Sequence, residues 1–343
     1  MLTFLLTVLI FGALILIHEL GHYLFARLFD VAIIEFSVGM GPKLLSHVSK
    51  KTGIRYSLRL IPFGGYVAMD GEDGESEDAR AFCNKATWKR MIITVAGAAF
   101  NLFLGFALMT GYVSTYEMYG STVLADLTDS VLAEKAEVGD TIYSIDGSRV
   151  YTANDLVYEI YRKGVAPVDV VVMRDGEKVK IENVQFPLTD EGGILAGQID
   201  FKIYGKEKTF FELARQSAAQ CRLSCKMVYE ALFDLISGRY GMETVSGPIG
   251  TGEVIGDAVE SDRENGGYSL LYLCSIITIN LGLFNLLPIP ALDGGRLFFQ
   301  LIELIRRKPI PAKYEGYIHA AGMVLLLAFM VFITFKDIVK LFS

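Results

Sequence analysis

The chain has 343 residues, of which 52% are hydrophobic and 21% charged, and its formal net charge is −7. That is too apolar for an ordinary soluble enzyme and too charged for a bare membrane bundle, and the acidic balance argues for no nucleic-acid partner. Its four cysteines, Cys83, Cys221, Cys225 and Cys274, form no C-x-x-C pair, so no disulfide framework is indicated.

In chain order, the first feature is an uncharged run, Leu2–Ala26, interrupted only by Glu19. As a helix it would rise about 37 Å at ~1.5 Å per residue, enough for a hydrocarbon core of ~30 Å. It reads as a membrane span and not as a signal peptide, since it lacks a basic n-region and a small-x-small cleavage site. Glu19 belongs to His18-Glu19-Leu20-Gly21-His22. An ionisable side chain near a helix centre costs roughly 2.5–3.5 kcal/mol, so this cluster needs a reason to be there. H-E-x-x-H supplies one. Histidines at i and i+4 share a helix face and can bind one zinc ion, and the glutamate between them can activate water. In a soluble helix the same match is often plain surface. Inside a span that reading leaves only cost.

After the first span, Ile54, Tyr56, Leu58 and Leu60 alternate with Arg55, Ser57 and Arg59, which predicts a strand. Pro62 and Gly64-Gly65 bend it before Tyr66-Val67-Ala68. Such an edge could pair with an extended substrate by strand addition, with Gly65 and Tyr66 as candidate contacts; the plainer reading is a hairpin plugging the mouth of the site. Asp70–Asp78 has six acidic residues in nine but no EF-hand spacing, and reads as a solvated loop. Met91–Tyr116 is the second uncharged run. Beyond it, Asp146-Gly147 and Asp175-Gly176 predict two hairpin turns, the second between Val168–Met173 and Lys178–Ile181. Phe210–Ile236 reads as an amphipathic helix lying on a membrane surface. Ser246-Gly247-Pro248-Ile249-Gly250 reads as a break, and Asp257–Asn265 as polar linker.

Gly266–Leu292 and Gly316–Phe335 are the third and fourth uncharged runs. Pro288 and Pro290 cannot continue a regular helix, and broken backbone at membrane depth is tolerated where protein or a water-filled cavity surrounds it. Two histidines leave a zinc ion one protein ligand short. Asp293, at the end of the third run, can supply it. Lysine and arginine crowd the segments between the first and second runs and between the third and fourth (Arg27, Lys43, Lys50, Lys89 and Arg90; Arg296, Arg306, Arg307 and Lys308). The positive-inside rule then puts both segments in the cytoplasm, both termini outside, and the histidines toward the cytoplasmic side.

The motif N-x-x-P-x-x-x-x-D-G, present here as Asn285 to Gly294, together with an intramembrane H-E-x-x-H, resembles the signature of the site-2-protease family of intramembrane zinc metalloproteases. The four runs and the insert between the second and third resemble its RseP-type (regulator of sigma-E protease) branch. Within the insert, Gly139-Asp140-Thr141-Ile142 through Ile145-Asp146-Gly147 resembles a PDZ domain, although Asp129-Ser130-Val131-Leu132-Ala133 departs from the commoner G-S-P-A form. The resemblance implies that His18, His22 and Asp293 bind one Zn2+ ion and that Glu19 activates water. It also implies that Asn280 and Asn285 help hold the substrate, and that a membrane-associated β element follows the G-x-G-P turn at Gly39-Met40-Gly41-Pro42. The expected fold is a polytopic α-helical membrane protein with four transmembrane helices, a membrane-associated β element and an inserted α+β PDZ-like domain.

The expected divisions are a first transmembrane helix (1–28), a cytoplasmic loop with the β element (29–87), a second helix (88–118), an external PDZ-like domain (119–205) and an external amphipathic helix and linker (206–265). A third helix (266–292), a cytoplasmic loop (293–315) and a fourth helix with the C-terminus (316–343) complete them. The implied activity is hydrolysis of peptide bonds in or near the transmembrane segment of single-span proteins. Anti-sigma factors, remnant signal peptides and pheromone precursors are all open as substrates, within the lipid bilayer of a bacterial plasma membrane. A proton-coupled transporter could also use buried His, Glu and Asp, and a silent scaffold would keep the fold without the chemistry. The absence of an inverted repeat argues against the first, and the intact His18, Glu19, His22 and Asp293 against the second.

Overall fold

In a computed structural model of the chain, residues 2–72, 74–191, 194–238, 245, 247–308 and 310–342 are described. The chain divides into two units: residues 1–108 with 224–343, and residues 109–223. Helices α1 (Leu2–Leu28), α2 (Thr87–Ser114) and α8 (Ala312–Phe342) are long and apolar enough to cross a membrane.

Shorter helices complete the first unit. α5 spans Pro248–Asn265, α6 Ser269–Asn285 and α7 Asp293–Arg306, while α4 (Phe210–Ile236) begins in the second unit and ends in the first. The third apolar run, read from the sequence as one span from 266 to 292, is divided. Its helix stops at Asn285, because Pro288 and Pro290 have no N–H to donate, and Leu286–Leu292 turns back to start α7. At 17 residues α6 rises about 25 Å, which is short of a full hydrocarbon core.

Residues 257–265 are helical, where the sequence reading has polar linker; of the expected break, Ser246 lies outside the described residues. Pro248 starts α5 at a position where a missing N–H costs nothing, and Gly266 in the left-handed region (φ 64°) ends it. Asp337 of α8 completes the start, accepting from the backbone N–H groups of Gly247 (2.9 Å) and Gly250 (3.0 Å). Residue polarity suggested a linker, but capping decided the outcome.

Between α1 and α2 lie two long strands, β1 (Ile33–Val48) and β2 (Arg55–Met69). Their register shows that each is sharply bent. Glu35 to Val38 are matched on one side by Ala68 to Gly65 and on the other by Arg55 to Leu58, while Lys43 to Val48 pair with Arg59 to Arg55. The result is a four-armed sheet in the order Lys43–Val48, Arg55–Arg59, Ile33–Val38, Gly65–Met69. No other strand among the described residues pairs with the outer side of Gly65–Met69. Glu35 is buried within this sheet. Burial alone would raise its carboxyl, but hydrogen bonds from surrounding hydroxyl and cationic groups, Arg59 and Lys43 among them, hold it down to about 2. It is therefore ionised throughout the physiological range.

The second unit contains β3 (Tyr119–Asp126), β4 (Thr141–Ile145), β5 (Ser148–Arg149), α3 (Ala153–Lys163), β6 (Val168–Arg174), β7 (Glu177–Val184), β8 (Leu188–Glu191), β9 (Ile194–Gly197) and β10 (Lys202–Lys206). The main sheet runs β10-β3-β4-β6-β7, with β5 paired to β4. Asp146 and Asp175 take positive φ at the two tight turns foreseen in the sequence. Leu124, Ile142, Ile145, Leu156, Ile160, Val170 and Val172 form a buried core with α3 over the sheet, each contributing about 1.5–3 kcal/mol. Thr152 and Asp155 cap α3 reciprocally. The start of α4 is unusual for a water-soluble helix: it buries Glu212, Gln216 and Gln220 and leaves Phe210 and Phe211 exposed.

Candidate metal centre

His18 and His22 lie one turn apart on α1, as i and i+4 spacing requires, and both are buried. Asp293 reaches them from a different part of the chain. The turn Leu286–Leu292 is so tight that a Cβ at Gly294 would stand 2.1 Å from the Leu287 carbonyl, and one at Gly295 2.5 Å from that of Ile289. Only glycine lets α7 begin this close, and Asp293 is its first residue. Asp293 Oδ2 lies 3.0 Å from His18 Nε2 and 3.2 Å from His22 Nε2, and the two nitrogens are 3.1 Å apart. Tetrahedral zinc with bonds of about 2.0–2.1 Å separates its ligand atoms by about 3.3 Å, so the triangle is close to the right size. Asp293 Oδ2 is buried without a hydrogen-bond partner, as fits an atom whose lone pair points at a cation. Among the described residues this is the one group of three such side chains able to hold a metal ion.

The outer nitrogens support the same assignment. His22 Nδ1 donates to the Ile93 carbonyl at 2.8 Å, which leaves Nε2 with its lone pair free. His18 Nδ1 is 3.3 Å from the amide nitrogen of Asn101, a fully buried residue whose Oδ1 has no partner. Turning that amide about its axis makes Oδ1 the acceptor of a proton on His18 Nδ1, so that each of these two atoms has a partner. Asn101→Leu is expected to lower zinc affinity by about 10–100-fold at unchanged ligand identity, read by competition with a zinc-binding dye.

Space at the centre is set by α2. A Cβ at Gly97 would stand 2.4 Å from His22 Nε2 and 2.8 Å from His18 Nε2, and one at Gly21 of α1 would stand 2.5 Å from the Ala96 carbonyl. Glycine on each helix brings the two backbones together. A cavity of about 180 Å³ opens beside the three side chains, lined also by Glu19, Tyr66, Glu72 and Arg296. Glu19 meets the edge arm of the hairpin: it lines the cavity with Val67, and a Cβ at Gly65 would stand 3.4 Å from its Cγ. Glu72 and Arg296 form an ion pair across the cavity wall.

Of the residues singled out in the sequence, His18, Glu19, His22, Asp293, Gly65 and Tyr66 are thus brought together. Asn280 and Asn285 sit on α6 and do not line this cavity; Asn280 Oδ1 is buried without a partner. Asn101, Gly97, Glu72 and Arg296 were not singled out. Asn101 carried a visible signal, as the one carboxamide side chain in the second uncharged run.

The family model for peptidase family M50 matches residues 6–329. A Clostridium perfringens protein named as a zinc metalloprotease is 35% identical over 336 residues, covering 96% of each chain. A similarly named protein of Clostridium acetobutylicum is 35% identical over 334 residues, covering 97% of this chain and 96% of its own. The regulator of sigma-W protease RasP of Bacillus subtilis is 28% identical over 419 residues, covering 98% of each. With a whole-chain family match and relatives at this level of identity, the chain belongs to peptidase family M50, the site-2-protease family of membrane-embedded zinc metalloproteases.

Proposed function

We propose that the chain is an intramembrane endopeptidase in which His18, His22 and Asp293 hold one zinc ion and Glu19 is the general base. The observation that carries this reading is the triangle of His18 Nε2, His22 Nε2 and Asp293 Oδ2, with Glu19 lining the same cavity. Held there, zinc would supply Lewis acidity toward a peptide carbonyl and a water molecule. Glu19 would accept a proton from the attacking water and return it to the departing amine. Its position beside the Gly65–Met69 arm puts the base next to an unpaired strand edge. A substrate helix hides its carbonyls in its own hydrogen bonds, so it must be unwound before it can be cut. The free edge offers replacement partners for the unwound backbone, with Gly65 and Tyr66 at the point of contact. Asn280 and Asn285 on α6 hold the substrate farther along.

In this reading α6 is a fourth, short transmembrane helix beside α1, α2 and α8, and the second unit is an external PDZ-like domain. The exposed phenylalanines of α4 support a helix resting on the outer membrane surface. The protein sits in a bacterial plasma membrane with both termini outside and the metal toward the cytoplasm. Its substrates are single-span proteins, with anti-sigma factors, remnant signal peptides and pheromone precursors as the classes to test. RasP is named for regulation of sigma-W, which favours the first class.

The test is cleavage of purified single-span proteins by the full-length chain in detergent, with cut sites read by mass spectrometry. Cuts within or next to the transmembrane segment, abolished by a zinc chelator and restored by zinc, are the expected result. Cuts confined to soluble loops would contradict the intramembrane reading.

A further inference from the structure

Tyr66 lines the cavity, and its hydroxyl is the end of a hydrogen-bonded chain that crosses the hairpin. Arg59 is the centre of that chain. Its Nε donates to Ser37 Oγ at 2.9 Å, its Nη1 to the Gly41 carbonyl at 2.7 Å, and its Nη2 to Glu35 Oε1 at 2.9 Å and to the Tyr66 hydroxyl. The guanidinium also lies 5.1 Å from the centroid of the Tyr66 ring. Glu35 is 5% exposed and gathers two further cations, Lys43 at 3.1 Å and Arg55 at 3.6 Å.

One planar guanidinium therefore ties its own arm to the Ile33–Val38 arm, to the turn that follows it, and to the edge arm beside Glu19. Within each pair of arms the backbone ladder runs in step, Glu35 to Val38 facing Ala68 to Gly65. The guanidinium adds side-chain ties that cross the arms and fix where the edge stands relative to the others. Lysine could not replace Arg59, since a single ammonium cannot make these four bonds in four directions.

We infer that Glu35 and Arg59 are positioning residues: through the Tyr66 hydroxyl they hold the Gly65–Met69 edge at the spacing from Glu19 that admits an extended peptide. They set affinity for the peptide backbone and leave the metal's own chemistry untouched. The inference rests on the cavity being the catalytic site.

Two zinc-chelating probes separate these effects. Acetohydroxamate offers only the chelating group, whereas a leucine-rich tetrapeptide hydroxamate adds extended backbone. Both are titrated against the full-length parent, Arg59→Lys and Tyr66→Phe in detergent, with zinc content and melting temperature recorded. Acetohydroxamate is expected to bind all three within about twofold, and the peptide probe to bind both variants at least about tenfold more weakly than the parent. Equal affinity of parent and Arg59→Lys for the peptide probe would overturn the inference. An equal loss of both probes in the variants would also overturn it, as general damage. A parent that binds neither probe would overturn the metal reading, and the positioning role with it.

Discussion

Glu19→Gln should keep its zinc and lose peptide hydrolysis by about three orders of magnitude, close to 4 kcal/mol of barrier. Glutamine has nearly the shape of glutamate, so the neighbouring His18 and His22 and the contact with the Gly65–Met69 arm should survive. What it loses is the ability to accept a proton. The cavity wall holds one other carboxylate besides Asp293, that of Glu72, and it is already paired with Arg296. No ready substitute base is therefore at hand. Initial cleavage rates and zinc content on the same purified sample check this. A fully zinc-loaded Glu19→Gln within about tenfold of parental activity would remove Glu19 from the role of base.

Gly97→Ala should be nearly as damaging, although position 97 bears no chemistry. Its new methyl would stand 2.4 Å from His22 Nε2 and 2.8 Å from His18 Nε2, far inside contact distance. The backbone atoms of α2 cannot yield easily, because Gly21 already brings α1 against the Ala96 carbonyl. Either the helices part or an imidazole swings away from Asp293, and a displacement of about 1 Å at such a site can cost about 10²-fold. Zinc affinity is expected to fall by that order. Phe103→Ala, on an exposed position of the same helix, is the control that should leave affinity unchanged. A Gly97→Ala protein with parental zinc affinity would show that α2 does not confine the histidines.

How much of this could be read in advance depended on whether residue type alone carried the signal. Metal chemistry dictates which side chains serve and at what spacing, so His18, Glu19 and His22 stood out, and Asp293 followed from a ligand still required. Gly97 and Asn101 matter only because α2 is the neighbour of α1, and nothing in the residues names that neighbour. Glu35 and Arg59 are 24 positions apart and meet only once both strands have bent. The alternation from Ile54 to Leu60 announced a strand and Pro62 with Gly64-Gly65 its bend, but not that the arms would assemble into one four-armed sheet, a shape helped by the positive φ of Gly39 and Gly64. The third run was expected as one span to Leu292, although Pro288 and Pro290 already marked broken backbone near its end. α5 was hidden: its polarity suggested linker, while Pro248, Gly266 and a distant carboxylate, Asp337, supplied its ends.

The central claim is that one zinc ion joins H-E-x-x-H on α1 to Asp293 at the start of α7. Its most direct test is the zinc-to-protein ratio of the purified full-length chain, measured by inductively coupled plasma mass spectrometry for the parent and for Asp293→Ala after dialysis against a weak chelator. The account predicts about one zinc per parent chain and less than about a tenth of that in the variant, since a two-histidine site has lost one of its three protein ligands. An Asp293→Ala protein that stays as fully loaded as the parent would contradict it.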